Sequence, residues 1–137
     1  MIATVLMLSS AAVLFALGTV HLMITFVGPK LTPRDPALQA RMSEVSPVIT
    51  KETTMWRCWV GFNISHSMAA MLFGLIYGFL AIAHGSLLFS SPYLLIVGLL
   101  TVGGLFVLGK VYWFSTPFIG IGISFACYVA SVIAALA

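Results

Sequence analysis

The stretch IATVLMLSSAAVLFALGTVHLMITFV, residues 2–27, contains no charged side chain. At about 1.5 Å per residue, a helix of this length crosses the ~30 Å hydrocarbon core of a bilayer. Inside lipid, each peptide N–H and C=O must be satisfied within its own segment, so the stretch is predicted to be a transmembrane helix. Gly28 and Pro29 end it. It lacks a basic leader and outruns the apolar core of a signal peptide, so a retained span is expected.

The same reasoning extends along the chain. Further spans are expected over about 50–83, 92–114 and 117–136. Ser46-Pro47 or Thr50, with Glu52 near the helix N-terminus, supplies a start signal for the second. Ser91-Pro92 and Ser115-Thr116-Pro117 serve the third and fourth, and His84 to Ser91, HGSLLFSS, reads as a connection. The predicted fold class is all-α: a polytopic membrane protein whose four transmembrane helices form an antiparallel bundle in one membrane domain, 1–137.

Composition agrees. With 61% apolar and 7% charged residues, the 137-residue chain lacks the polar surface that a water-soluble domain needs. Its net charge of +3 does not signal nucleic acid, because no basic run is interleaved with aromatics. Cys58 and Cys127 form no CxxC motif and read as small apolar packing residues.

After the first span comes loop one, in the polar stretch PKLTPRDPALQARMSEVSPVITKETTMWR, residues 29–57, whose end runs into the expected start of the second span. Asp35 followed by Pro36 is an N-cap with proline at the first helical position, and Leu38, Met42 and Val45 recur at helical spacing. A short amphipathic helix on the membrane surface is predicted there. Lys30, Arg34, Arg41, Lys51 and Arg57 all fall in or beside this loop, and Lys110 returns to the same side at the end of the third span. The positive-inside rule then makes loop 28–50 cytoplasmic and both termini periplasmic. Trp56, Trp59, Tyr112 and Trp113 form an aromatic belt on that side, with Tyr93 and Phe89 opposite. Arg34, Arg41, Lys51 and Arg57 are candidates for contact with anionic lipid headgroups.

Small and polar residues mark the faces on which helices pack: Ala11, Gly18 and Thr25; Asn63, Ser67, Ala70 and Gly74; Gly120, Ser124, Cys127 and Ser131. In the third span Gly98, Thr101, Gly104 and Gly109 spread around more than one face. His21 shares a stripe with Gly18 and Thr25, while His66 lies in GFNISHS, residues 61–67. Helix rise places both imidazoles about 10–15 Å from the loop end of the spans, on neighbouring antiparallel helices.

An ionisable residue at that depth points to function. Neutral histidines can link two spans by hydrogen bonds to Asn63, Ser67 or Thr25. The same group, His21, Thr25, Asn63, His66 and Ser67, can instead hold a lipid or another hydrophobic ligand. Two imidazoles can also ligate haem or a metal ion, with His21 and His66 the candidates, or pass a proton. Tyr77 and Tyr128 offer hydroxyls for interhelical bonds. Loop one holds the only acids, Asp35, Glu44 and Glu52, and no carboxylate pair lies within the spans, so no catalytic residue is assigned. Small size and little extramembrane mass suit an accessory subunit of a larger membrane complex, while the glycine-rich third and fourth spans suit a homo-oligomer interface and the internal bundle equally well.

Pro33-Arg34-Asp35, Ser46-Pro47-Val48-Ile49-Thr50, Glu52 to Trp56, Gly61-Phe62-Asn63, Ser65-His66-Ser67 and Gly74 to Gly78 together resemble a small uncharacterised family of bacterial four-helix integral membrane proteins. The resemblance covers about residues 18–83. It implies a four-helix bacterial membrane protein, for which the inner membrane is the expected location, and brings no activity, substrate or catalytic residue.

Overall fold

Proline and the residue before it set two of the helix starts. In the computed structural model, which describes residues 1–137, Asp35 is the extended N-cap of its helix, and its carboxylate accepts the Ala37 N–H at 2.9 Å. Ser91 does the same before Pro92, its hydroxyl accepting the Leu94 N–H at 3.4 Å. The resulting elements, all helical, are α1 (Ile2–Phe26), α2 (Pro36–Glu44), α3 (Met55–Ala83), α4 (Gly85–Ser90), α5 (Pro92–Tyr112) and α6 (Ser115–Leu136). Four of them, α1, α3, α5 and α6, are long and apolar enough to cross a membrane. The chain is an all-α polytopic membrane protein.

Two helix starts and one connection depart from expectation. The second long helix starts at Met55, not near residue 50. Thr50 belongs to a turn closed by its own N–H on the Pro47 carbonyl, and its hydroxyl accepts the Glu52 N–H. Thr54 takes the capping role instead, with its hydroxyl accepting from Arg57 N–H and its carbonyl from Cys58 N–H. The connection 84–91 holds the short helix α4, ordered by the full burial of Leu88. The last helix begins at Ser115, with Phe114 as an N-cap that makes no side-chain bond.

Contacts group the residues into two compact units, Met1–Leu17 with Ala70–Ala137, and Gly18–Ala69. In the first, buried positions recur every three or four residues: Met7, Ser10, Ala11 and Leu14 on α1, and Ala70, Phe73, Tyr77 and Ala81 on α3. On α5 the buried stripe runs through Leu95, Gly98, Val102 and Gly109, which settles the face left open by the glycines; Gly104 points outward. The α6 stripe is Ile121, Ser124, Tyr128 and Ser131.

Hydrogen bonds between these stripes fix direction. Ser124 Oγ donates to the Ser10 carbonyl at 2.9 Å, and Ser131 Oγ to the Ala3 carbonyl at 2.7 Å. Numbers rise on α6 as they fall on α1, so the two helices are antiparallel. With its own proton committed, Ser124 Oγ receives that of Ser10 across 3.0 Å. Tyr77 donates to the Leu94 carbonyl and Tyr128 to that of Leu95, at 2.6 and 2.7 Å, tying α3 and α6 to consecutive carbonyls of α5. Such bonds contribute about 0.6 kcal/mol each in a membrane, and they specify rotation where lipid and leucine are equally apolar.

In the unit Gly18–Ala69, α1 stops because Gly28 takes φ +83°, and Thr32 then closes a turn with both N–H and hydroxyl on the Pro29 carbonyl. Beyond α2, the Met55 N–H donates to the Val45 carbonyl at 2.8 Å, clasping the ends of loop 46–54 together.

Two glycines are required by closeness. A Cβ on Gly74 would lie 2.6 Å from Phe15 Cβ and 2.7 Å from the Ala11 carbonyl oxygen, and one on Gly98 would collide with the Tyr128 hydroxyl and ring. One on Gly104 meets nothing. Gly74→Ala and Gly98→Ala are expected to destabilise the protein by about 1–3 kcal/mol, whereas Gly104→Ala should be neutral or mildly stabilising. Thermal unfolding in one detergent checks all three.

Candidate functional site

Asn63 is the centre of the polar group in the unit Gly18–Ala69. It is buried, one helical turn into α3 from Trp59, whose carbonyl accepts its Nδ2 at 2.8 Å. That bond sets the amide's orientation and aims Oδ1 at His21 Nε2, 3.0 Å away on α1. A carbonyl oxygen only accepts, so Nε2 of His21 carries a proton. The His66 ring stands 5.5 Å from that of His21, nearly perpendicular, and stacks on Phe62.

The hydroxyls turn inward on their own helices. Thr25 donates to the His21 carbonyl at 2.7 Å, and Ser67 to the Asn63 carbonyl at 2.8 Å. Four of the five residues singled out from sequence, His21, Thr25, Asn63 and Ser67, are thus joined by hydrogen bonds that include their backbones, and His66 meets them through its ring. Arg34, Arg41, Lys51 and Arg57 are exposed.

Beside Asn63 lies a cavity of about 200 Å³. Phe26, Leu31, Trp56 and Val60 supply its apolar wall, and Thr25, Thr32 and Asn63 its polar atoms. Trp59 closes one side, held by its indole N–H on the Leu31 carbonyl at 3.0 Å. A second, more open hollow of about 380 Å³ shares Leu31, Thr32 and Trp59, and adds Lys30, Pro33 and Met42. Of the expected ligand-binding residues only Thr25 and Asn63 line the first cavity. The sequence reading had assigned Trp56 and Trp59 to an aromatic belt and missed them as walls; their spacing with Val60 and Asn63 on one helical face was the available signal.

The chemistry of the lining is selective. Thr25 and Thr32 spend their protons on backbone carbonyls and retain acceptor lone pairs; Asn63 retains one N–H and one lone pair. The cavity therefore offers acceptor lone pairs from both threonines and, at Asn63, one donor and one acceptor. As to metals, no three His, Cys, Asp or Glu side chains cluster anywhere in the chain. A closed tetrahedral site takes four ligands, and a metal taking Nε2 of His21 would first have to displace Asn63.

Comparison with protein-family models, with curated proteins and with solved structures finds no match.

Asn63→Ala removes the acceptor of the His21 N–H and is expected to cost about 1–3 kcal/mol. Ser67→Ala, which loses only a bond within its own helix, should cost about 1 kcal/mol or less. Thermal unfolding in micelles separates the two, and the ¹⁵N shifts of the His21 ring should report a proton on Nε2 in the wild type.

Proposed function

We propose that this integral membrane protein binds a hydrophobic ligand through the cavity beside Asn63, at the polar-loop end of α1 and α3. The observation that carries the reading is the cavity itself: two indoles and aliphatic walls surrounding hydroxyl and amide acceptors, in a segment where polar atoms are costly unless satisfied. A volume of about 200 Å³ holds a ring or the end of a chain rather than a whole lipid. The hollow past Trp59 extends the track toward Lys30, so the ligand class is an amphiphile with a hydroxyl or amide N–H near Asn63 and room for an acidic end outside.

The concentration of basic residues around loop one supports a cytoplasmic placement of this site, with both termini periplasmic, and the family resemblance supports a bacterial inner membrane.

Native mass spectrometry of the protein purified in mild detergent should show a retained mass, recoverable by solvent extraction. Val60→Phe, which fills the cavity, should reduce its occupancy several-fold with the fold intact. A wild-type protein without bound mass, or a Val60→Phe variant with undiminished occupancy, would overturn the proposal.

A further inference from the structure

Val48 and Ile49 form the apex of the Pro47–Thr50 turn, with relative exposures of 108% and 91%. Two β-branched aliphatic side chains at the tip of a hydrogen-bonded turn serve no packing in this chain. The turn sits in a loop whose ends are clasped by the Val45–Met55 bond, directly at the start of the membrane-crossing helix α3. From Ile49 to Met55 an extended chain reaches at most about 20 Å, so the bilayer surface at the start of α3 is within reach of the tip.

Charge around the tip favours lipid. The chain has one ion pair, Arg41 with Glu44, and Asp35 is engaged in capping α2. That leaves Lys51 and Arg57 exposed and unpaired on either side of a single nearby acid, Glu52. An apolar tip followed by two unpaired bases, Lys51 two residues on and Arg57 in the first turn of α3, matches the boundary between acyl chains and anionic headgroups.

We propose that Val48 and Ile49 are an insertion tip, which dips into the anionic leaflet where α3 enters the bilayer, while Lys51 and Arg57 take lipid phosphates. The tip anchors loop one to the membrane independently of any ligand at Asn63.

The test uses the full chain with Cys58→Ser and Cys127→Ala, carrying either Ile49→Cys or, on α2, Ser43→Cys, each labelled with an environment-sensitive fluorophore. Both sites are exposed, so labelling spares the fold. The protein is reconstituted into phosphatidylcholine vesicles with and without phosphatidylglycerol. The expected result is blue-shifted emission at Ile49→Cys, quenching by doxyl lipids, and aqueous iodide quenching several-fold weaker than at Ser43→Cys. Protection should be greater with the anionic lipid, and Lys51→Gln with Arg57→Gln should remove that difference. Equal iodide access at the two positions would overturn the proposal. Protection independent of lipid charge would overturn the role given to Lys51 and Arg57. Protection found in native membranes but absent from purified vesicles would assign the tip to a protein partner and overturn it as well.

Discussion

A hydroxyl or amide placed among acyl chains has no water to turn to, and most of this architecture follows from where such groups find partners. No buried side-chain nitrogen or oxygen is left without one. Two solutions coexist. Ser9, Thr25, Ser67 and Thr101 donate to a carbonyl four residues back on their own helix, which satisfies the group and commits the helix to no neighbour. Ser124, Ser131, Tyr77, Tyr128 and Asn63 reach across instead, and each crossing bond selects one rotation and one register.

Packing and hydrogen bonding depend on each other here. The Tyr128 hydroxyl reaches the Leu95 carbonyl because Gly98, one turn along α5, leaves the ring its space. Phe73 and Tyr77 stack at 4.4 Å, and Tyr128 meets both, so an aromatic cluster fills the volume that the small residues open. On α1 and α3 the equivalent close approach, at Gly74, sets backbone against backbone.

Features governed by local chemistry were legible in the sequence. Asp35-Pro36 and Ser91-Pro92 announce helix starts because the cap and the fixed proline φ act within a few residues. His21 and His66 could be placed at one depth by helix rise alone. Thr54 was obscured by competing signals at Ser46-Pro47 and Thr50, and only the distant Val45 carbonyl decides between them. Helix α4 was illegible because its order comes from the tertiary burial of Leu88. The cavity walls escaped for a similar reason: Trp59 turns to the Leu31 carbonyl, a partner that no helical period reveals.

The crossing contacts of the first unit also bear on how kinship could be recognised. Hydropathy makes any four-span chain resemble any other, since leucine, isoleucine and valine interchange freely against lipid. Ser10 with Ser124, Gly74 under Ala11, and Gly98 under Tyr128 do not interchange, because each depends on a particular atom or on the absence of one. A chain retaining these three pairings at matching register would share this packing even after its lipid-facing surface had changed completely.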